Sequence, residues 1–552
     1  LSGGNLHSLE YIATGSGIDG LLVGGDSGVF KMIVSQEGMW SEFGAGLPNA
    51  PVWDMDYDAA DDILVAGTLG RGAWTISAAS TLVVNKGVLQ IDGDMDFAGQ
   101  DDVIRLVRDA ENPLLLNVIV NGQDFGPFQI DTIQQINVNG LGGNDTLIVD
   151  SSNGLIDVGM GIRFDGGGGF DRIDAVQDNG SPTGVTEAVI VGANPGDGRH
   201  ILSSGAGTQV IDVQNIEPFT TNVAAASFSI TSVPGIASLL QDDNQINYEE
   251  GQLLGASAGR VTVDNFEPIE FINKTHLVID AGAGVDTVTL NNASTPTGLT
   301  GIAVNGDDGN DSVRSAATAA TVSLSLSGGE GDDLLQGAGG NDTLSGGGGD
   351  DTLVDSGGDD SYDGGIGFDT ILVNGTPGND IVDLTQTAPS AVVPSDYTVT
   401  LFVSGMTTTE TIVATNGVLA ASNAANRPTV EEIRIEGQAG NDLIRVAHAD
   451  EYTDGDNANG IAQQMLRFTV NGGPPNASDR LIIQDLGLGD LVLVREGSDE
   501  QSGRVTVAPA VNTTTMAGFH GDIVFSGMER WEVSPIDAIT AGTGTDGAGR
   551  VV

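Results

Sequence analysis

The chain contains no cysteine, few basic residues and no long apolar run. Without cysteine it can form no disulfide, thiolate nucleophile or zinc–thiolate site. Acidic residues number 76 against 20 basic ones, and the formal net charge of −56 repels nucleic acids and anionic membranes. No apolar segment approaches the roughly 18 residues that a membrane-spanning helix needs. Hydrophobic residues nevertheless make up 39% of the chain, so we predict a folded protein with a core.

The excess of acidic residues is itself a constraint on folding. Two carboxylates about 4 Å apart repel each other by roughly 4 kcal/mol at an effective dielectric constant near 20. A fold that brings many of them together therefore needs salt or bound cations between them. A solvated acidic surface is the alternative interpretation. The aspartates are gathered in glycine-rich turns, which favours bound cations.

A recurring phrase predicts an all-β chain. Strands with alternating apolar residues flank a Gly/Asp turn, as in INVNGLGGNDTLIV, LVIDAGAGVDTVTL and IRIEGQAGNDLIRV. The alternation indicates strands with one buried face, and the glycines suit tight turns. Because the same turn recurs along the chain, we predict a repeat array with the architecture of a parallel β-roll or β-solenoid.

A longer period relates turns that are far apart in sequence. Asp102 precedes Asp145 by 43 residues, Asp243 precedes Asp286 by the same 43, and a third repeat opens at Asp380 with a longer insert. The predicted domains are a partial β-propeller-like segment (1–79), β-solenoid unit 1 (80–240), β-solenoid unit 2 (241–327), a β-roll (328–372), β-solenoid unit 3 (373–485), and a partial unit 4 with the C-terminal tail (486–552).

The N-terminal segment holds three of the four tryptophans and consists of short strand patterns. The phrase ILVAGTLGRGAWTI (63–76) resembles the closing blade of a sialidase-like or sortilin-like repeat propeller. The phrase SQEGMW (35–40) resembles a degenerate Asp-box, with Glu37 near the usual aspartate. The resemblance implies the last blades of a β-propeller, and an isolated β-meander is the alternative.

Five unbroken nonapeptides form residues 328–372: GGEGDDLLQ, GAGGNDTLS, GGGGDDTLV, DSGGDDSYD and GGIGFDTIL. They follow the pattern G-G-x-G-x-D-x-U-x, in which U is a large apolar residue. This stretch resembles the haemolysin-type (RTX) calcium-binding repeat family of large bacterial secreted and surface proteins. The resemblance implies a β-roll that folds when it meets calcium outside the cell.

The chemistry of these turns also points to Ca²⁺. Calcium takes six to eight oxygen ligands, and a glycine-rich turn with one aspartate supplies too few of them, whereas two stacked turns supply enough. With two nonapeptides per coil, turns 18 residues apart stack. One predicted edge holds Asp333, Asp351 and Asp369, and the other holds Asp342 and Asp360.

Backbone carbonyls of the turn glycines complete the predicted ligand set. These glycines are Gly328, Gly331, Gly337, Gly340, Gly346, Gly349, Gly364 and Gly367. Ala338, Asp355 and Ser356 replace motif glycines, so the edge with Asp342 and Asp360 departs further from the pattern. The apolar U positions are predicted to point inward, and they are Leu335, Leu344, Leu353, Tyr362 and Ile371.

Isolated copies of the turn provide further candidate metal ligands. These are Asp145, Asp171, Asp286, Asp311, Asp380 and Asp442. Spacings of 26 residues from Asp145 to Asp171 and of 25 from Asp286 to Asp311 suit longer coils. Each of these aspartates is either a metal ligand or a turn residue bonded to its own backbone, and both interpretations stay open here.

Motifs for catalysis are weak. GASAG (255–259) matches a nucleophile elbow, but no helix follows it, and GDSG (25–28) lies within a hairpin pattern. The five histidines are dispersed. We therefore expect no enzymatic activity from this chain.

Function follows from the repeats. We expect a calcium-stabilised extracellular structural or adhesive protein of the bacterial cell surface, such as a surface-layer, stalk or filament subunit. Calcium is the expected cofactor, and self-assembly or glycan contacts are the expected interactions, without nucleic acid or a membrane span. The alternative is the non-catalytic C-terminal calcium-binding region of a larger secreted hydrolase.

Overall fold

The computed structural model of the chain is built almost entirely from β-strands, which confirms the predicted all-β class. The residues that it describes form two compact units, 1–171 with 206–214 and 172–205 with 215–552. The described residues are 5–13, 19–34, 40–43, 50–77, 79–80, 87–94, 98–177, 183–192, 194–232, 243–318, 321–387, 397–403, 406–412, 414–416, 426–447, 467–473, 479–484, 491–496, 502–508, 521–526, 528 and 530–533. Glu37 of the degenerate Asp-box and the tail from residue 534 lie outside them.

The first compact unit begins with two antiparallel meanders. One consists of β1 (Leu6–Ile12), β2 (Gly20–Gly25), β3 (Gly28–Ile33) and β4 (Ser41–Glu42), and the other of β5 (Val52–Asp58), β6 (Ile63–Thr68) and β7 (Gly72–Ser77). Ile12, Leu22, Val52 and Leu64 belong to one buried cluster that both meanders share. Propeller blades are antiparallel sheets of this kind, and the partial propeller stays a prediction.

Parallel pairing dominates the rest of the first unit. Its strands are β8 (Gly87–Asp92), β9 (Val103–Arg108), β10 (Leu115–Val120), β11 (Gln123–Asp124), β12 (Phe128–Gln129), β13 (Ile133–Asn139), β14 (Thr146–Asp150), β15 (Ile162–Asp165) and β19 (Gly207–Gln214). A 3-10 turn spans Ile130–Thr132. Strands β8, β13, β15 and β19 pair side by side in parallel, as β9 does with β14. Successive parallel strands joined by turns form the coils of a solenoid.

The second compact unit contains two large sheets. The first comprises β17 (Val185–Val191), β18 (Gly198–Ser204), β21 (Ala225–Thr231), β25 (Lys274–Asp280), β27 (Gly301–Asp308), β29 (Ser323–Glu330), β31 (Thr343–Gly348), β33 (Ser361–Ile366), β35 (Ile381–Thr387), β36 (Tyr397–Val403), β37 (Met406–Ile412), β41 (Leu443–Ala447), β43 (Arg480–Gln484) and β47 (Arg530–Val533).

The second sheet of this unit runs through the alternate half of each coil. It comprises β16 (Arg172–Val176), β20 (Phe219–Thr221), β22 (Gln245–Leu253), β23 (Ala256–Val263), β24 (Ile269–Phe271), β26 (Thr287–Asn292), β28 (Ser312–Thr318), β30 (Leu334–Gln336), β32 (Thr352–Val354), β34 (Thr370–Asn374), β40 (Glu432–Glu436), β42 (Arg467–Asn471), β44 (Leu491–Glu496), β45 (Gly503–Ala508) and β46 (Gly521–Ser526). A separate ribbon pairs β38 (Ala414–Asn416) with β39 (Asn426–Pro428).

Coils of 18 residues stack in register within residues 323–372, as predicted. Leu344 of β31 pairs with Tyr362 of β33, and Leu335, Leu353 and Ile371 align across β30, β32 and β34. All five side chains are buried, which confirms that the apolar positions point inward. The alternation of apolar and polar residues therefore sets which strand face enters the core.

Antiparallel hairpins lengthen other coils. The hairpin β22–β23 lies between Asp243 and Asp286, and β35, β36 and β37 lie between Asp380 and Asp442. In the first unit β9 pairs antiparallel with β10 between Asp102 and Asp145. These hairpins account for the long spacings, because they add residues to a coil while the turn at its end keeps its place.

A buried ionic cluster fastens the β17–β18 hairpin to the neighbouring coils. Lys274 Nζ donates hydrogen bonds to Glu187 and, at 2.6 Å, to the Val223 carbonyl, while His200 Nε2 lies 2.8 Å from Glu187 Oε1. Burial alone would raise the pKa of Glu187, but Lys274 and His200 outweigh it and lower that pKa to about 2. The carboxylate is therefore charged, and loss of one partner would leave an uncompensated buried charge.

Replacing a stacked core residue should destabilise the roll. We expect Leu344→Ala to lower the free energy of unfolding by about 2–5 kcal/mol, because it opens a cavity between coils. Thr343→Ala, at the exposed neighbouring position of the same strand, is the control and should change it by no more than about 0.5 kcal/mol. Denaturant unfolding under fixed ionic conditions measures both, and equal losses would contradict the inward orientation of Leu344.

Candidate metal sites

The aspartate of each nonapeptide turn ties one coil to the next. The Asp333 N–H donates to Asp351 Oδ1 and the Asp351 N–H donates to Asp369 Oδ1, both at 2.9 Å. On the opposite edge the Asp342 N–H donates to Asp360 Oδ1 at 2.8 Å. The two rows of aspartates are therefore those expected from the 18-residue coil, and we call them the first and second edges. Their role as metal ligands stays a prediction.

Burial makes these carboxyl groups unusual. On the first edge Asp333, Asp351 and Asp369 are 3%, 1% and 0% exposed. Oδ1 of each accepts a main-chain N–H of the preceding coil or turn. The buried Oδ2 of each has no hydrogen-bond partner in the described structure. A buried polar oxygen without a partner costs roughly 1–3 kcal/mol, and more if it is charged. A bound cation would remove that cost.

The first glycine of each turn leaves room for this oxygen. A methyl group built on Gly346 would stand 2.1 Å from Asp351 Oδ2 and 2.6 Å from the Gly364 carbonyl oxygen. On Gly328 it would stand 2.0 Å from Asp333 Oδ2 and 2.7 Å from the Gly346 carbonyl oxygen. A carboxylate oxygen and a main-chain oxygen of the next coil therefore converge on the same small space.

The later glycines of the turns allow the coils to approach closely. Gly331, Gly349 and Gly367 have φ values of +134°, +132° and +153°, which favour glycine. A methyl group on Gly367 would lie 1.7 Å from the Gly349 carbonyl oxygen, so any side chain here would push the coils apart. On the second edge the Gly340 carbonyl lies beneath Gly358 in the same way.

Main-chain oxygens are needed to complete any cation site. No group of three or more acidic or histidine side chains able to hold a metal ion occurs in the part of the chain that the structure describes. Each turn instead offers one carboxylate beside stacked glycine carbonyls. Calcium accepts carboxylate and carbonyl oxygens at flexible geometry, so the first edge fits this ion. Bound there, calcium would supply the positive charge that the buried oxygens lack.

The carboxylate oxygens of the second edge have more partners within the protein than those of the first edge. Asp342 Oδ2 accepts the Ala338 N–H at 2.7 Å, and Asp360 Oδ2 accepts the Tyr362 hydroxyl at 3.3 Å. A methyl group on Gly337 would meet the Ser356 hydroxyl oxygen at 2.7 Å, not a carbonyl of the next coil. Asp355 and Ser356 replace both leading glycines of one turn, and the Tyr362 hydroxyl also lies 3.2 Å from Asp355 Oδ1. Two carboxylates therefore share one hydroxyl hydrogen, and the main difference from the first edge is the N–H bond to Asp342 Oδ2.

A second row of bonds, which sequence reasoning missed, runs beside the first edge. The Asp350 N–H donates to Asp332 Oδ1 at 2.8 Å, and the Phe368 N–H donates to Asp350 Oδ1 at 2.9 Å. These side chains accept from the following coil, whereas Asp351 accepts from the preceding one. The signal for this row in the sequence is the Asp-Asp dipeptide of these nonapeptides.

The isolated turns continue the same ladder of bonds. In the first unit the Asp102 N–H donates to Asp145 Oδ1 at 2.8 Å and the Asp145 N–H to Asp171 Oδ1 at 2.7 Å. In the second unit the Asp286 N–H donates to Asp311 Oδ1 at 2.8 Å, and the Asp311 N–H donates to Asp333 at 2.7 Å. Asp286 and Asp311 therefore lead directly into the first edge.

Unpartnered oxygens distinguish these isolated turns. Oδ2 of Asp145, Asp286, Asp311 and Asp442 is buried and has no hydrogen-bond partner among the described residues. Asp380 is different, because its Oδ2 accepts the N–H of Thr376 in its own turn at 2.6 Å. The interpretation as a turn residue therefore suits Asp380, whereas the other four match the first edge. Asp286 differs from the first edge in one respect, because Ala281 stands where the other turns have their first glycine.

Without a cation, burial and the facing carboxylates raise the pKa of these aspartates. The pKa of Asp333 and of Asp369 rises to about 7, and that of Asp351 to about 6. The pKa values of Asp145, Asp286 and Asp360 also rise to about 6, with burial as the largest cause. A proton can therefore neutralise these carboxylates at mildly acidic pH.

Matched substitutions should separate the two edges. Asp351→Asn removes a carboxylate whose second oxygen lacks a partner, so we expect it to abolish at least one calcium site or weaken it by about tenfold or more. Asp342→Asn should have a smaller effect, because the Ala338 N–H already satisfies that oxygen. Isothermal titration calorimetry with calcium measures both variants. Equal effects would show that the edges are equivalent.

Stability without calcium should fall as pH rises. An aspartate with a folded-state pKa near 7 and an unfolded-state value near 3.9 binds more protons when folded, so its contribution to stability is largest below about pH 4 and declines up to about pH 7. In chelator we therefore expect a lower melting temperature at pH 8 than at pH 5. The gain produced by calcium should be larger at pH 8, because calcium needs ionised carboxylates. A gain that is independent of pH would contradict this account.

Comparison with known families agrees with this geometry. Residues 325–353 and 336–371 match the family model for the RTX calcium-binding nonapeptide repeat, with four copies. No curated protein sequence matches the chain. Among the described residues, no helix is long and apolar enough to cross a membrane. Residues 325–371 thus belong to the RTX family of calcium-binding nonapeptide repeats, and the chain that carries them is a calcium-binding extracellular protein.

Proposed function

We propose that this chain is a structural or adhesive component of a bacterial cell surface, such as a surface-layer, stalk or filament subunit, whose folding is completed by calcium. The observation that carries the proposal is the row of buried aspartate oxygens without partners, one per coil, from Asp286 to Asp369. Such a row is unfavourable without cations and stable with them. Its natural consequence is a fold that depends on the calcium concentration outside the cell.

The energy available from calcium is large enough for this role. Extracellular calcium modules have dissociation constants near 10⁻⁴–10⁻³ M, and a tenfold excess of calcium adds about 1.4 kcal/mol per site. In a solenoid each coil is stabilised mainly by its neighbours. Several adjacent sites therefore act on the same stretch of coils. Their sum is comparable with the 5–15 kcal/mol that separates folded from unfolded domains.

We also propose that the chain has no catalytic role. The serine of the GASAG phrase, Ser257, lies on strand β23, and its hydroxyl bonds to the Ser294 hydroxyl at 2.8 Å. A nucleophile elbow would need this serine at a turn between a strand and a helix. Asp26 and Ser27 of the GDSG phrase form the tight turn between β2 and β3. These placements support the interpretation that both phrases are chance matches.

The alternative function is favoured by the N-terminal meanders. Their antiparallel strands suit propeller blades, and Trp53 and Trp74 on β5 and β7 are 54% and 40% exposed. In that case the chain would be the calcium-binding region of a larger secreted hydrolase. Hydrolase activity that requires additional sequence, together with a monomeric calcium-bound chain, would favour this alternative.

Calcium titration of the whole chain tests the proposal. Starting in chelator, we expect β-sheet circular dichroism and the melting temperature to rise steeply with calcium and to change little with magnesium, which demands a stricter geometry. Light scattering on the same samples should show particles larger than a monomer that dissolve when chelator is restored. Full folding in chelator would overturn the calcium dependence, and a strict monomer in millimolar calcium would overturn the assembly role.

A further inference from the structure

The first edge does not end with the last nonapeptide. The Asp369 N–H donates to Glu431 Oε2 at 2.9 Å, which is the bond that Asp333 and Asp351 make to the aspartate of the next coil. The N–H groups of Glu431 and Glu432 both donate to the Asp369 carbonyl at 3.0 Å. A glutamate 62 residues further along the chain thus takes the place of the next aspartate.

The space beside Asp369 repeats that of the interior turns. A methyl group on Gly364 would stand 2.6 Å from Asp369 Oδ2 and 2.1 Å from the Thr429 carbonyl oxygen. At Gly346 the corresponding atoms are Asp351 Oδ2 and the Gly364 carbonyl oxygen. Thr429 therefore supplies the main-chain oxygen that a sixth nonapeptide would otherwise provide.

Strand register explains how this segment reaches the roll. Strand β34 pairs in parallel with β40, and Thr370 faces Glu432. Glu431 is consequently the residue that follows Asp369 in the stack. Thr429 is 2% exposed, and its hydroxyl accepts the Gly364 N–H at 3.1 Å. These hydrogen bonds hold the segment against the roll, so the position of the Thr429 carbonyl is determined by the fold.

The buried Asp369 carboxylate requires a partner of opposite sign. Asp369 is fully buried, its Oδ2 has no hydrogen-bond partner, and Glu431 brings a second carboxylate against the same turn. Asp369 Oδ2 and the Thr429 carbonyl oxygen converge beside Gly364, and the Glu431 carboxylate is bonded to the same turn. Such a set suits Ca²⁺, whose affinity rises with the number of charged ligands.

We infer that Asp369, Glu431 and the Thr429 carbonyl form the terminal calcium site of the first edge. The nonapeptide pattern does not contain this site, and the family match ends at residue 371. The inference rests on calcium binding by the nonapeptide block and assigns a further site to it. Calcium bound here would join the coil that contains β40 to the roll. The folding of the following repeat would then depend on calcium, as that of the nonapeptides does.

Glutamate-to-glutamine substitutions in the full chain test the assignment. We expect Glu431→Gln, followed by calorimetric calcium titration, to lose one site or weaken one by at least about tenfold. Glu436→Gln removes the same charge from the other end of β40, where Glu436 accepts a bond from Asn471, and should keep the wild-type number of sites. Wild-type site number and affinity in Glu431→Gln would overturn the inference.

A double substitution shows whether the two carboxylates share one ion. Asp369→Asn combined with Glu431→Gln should lose no more calcium than Asp369→Asn alone. Additive losses would mean separate sites and would overturn the assignment. Asp351→Asn serves as the reference for the block: if it too leaves calcium binding unchanged, calcium binding by the nonapeptides has failed, not only the terminal site.

Hydrogen exchange of the wild-type chain tests the site without any substitution. Calcium should slow exchange of the Asp369, Glu431 and Glu432 N–H groups, all of which lie in the contact between the roll and β40. We expect this protection to appear over the same calcium range as that of Asp351. Protection of Asp351 without any change at Glu431 and Glu432 would place the end of the calcium row before Asp369.

Discussion

The hydrogen bond from one turn aspartate to the carboxyl group of the next is the interaction on which the rest of the structure depends. It fixes the register of successive coils and takes up one carboxylate oxygen per turn. A hydrogen bond to a charged group contributes about 1.5–3 kcal/mol, but leaving the second oxygen buried and unpaired costs a similar amount. The ladder therefore stabilises the coils only when a cation or a proton neutralises that oxygen.

This balance explains why the coils are regular and yet depend on a cation or a proton for their stability. Apolar residues such as Leu344 and Leu353 close the core between the sheets, and the outer Asp332 and Asp350 bind neighbouring coils in the opposite direction. These contacts hold the turns together closely enough to bury the carboxyl groups. The same packing raises their pKa values, because it buries the carboxyl groups and brings other carboxylates close to them. Packing thus creates the demand for positive charge that calcium meets.

The two edges of the roll differ in how their carboxylate oxygens are bonded. On the second edge, Asp342 Oδ2 accepts the Ala338 N–H and Asp360 Oδ2 accepts from the Tyr362 hydroxyl. The first edge keeps its glycines, and the row of unpaired oxygens extends back to Asp286, where Ala281 replaces the first glycine. A longer coil with an inserted hairpin keeps the hydrogen bonds between turn aspartates, because the turn at its end still stacks on the turn of the next coil. Calcium dependence can therefore spread beyond the uninterrupted nonapeptides.

The sequence by itself determined the all-β class, the 18-residue coil, the inward apolar positions and the two rows of aspartates, because these follow from a short period in strand pattern and turn glycines. The long spacings marked a longer repeat, but that Asp102 and Asp145, or Asp380 and Asp442, lie in adjacent coils is known only from the structure. Only the tertiary structure decided which carboxylate oxygens stay unpaired and that Glu431 follows Asp369. Those features depend on hydrogen-bond partners that are 18 to 62 residues apart and meet only when the coils stack.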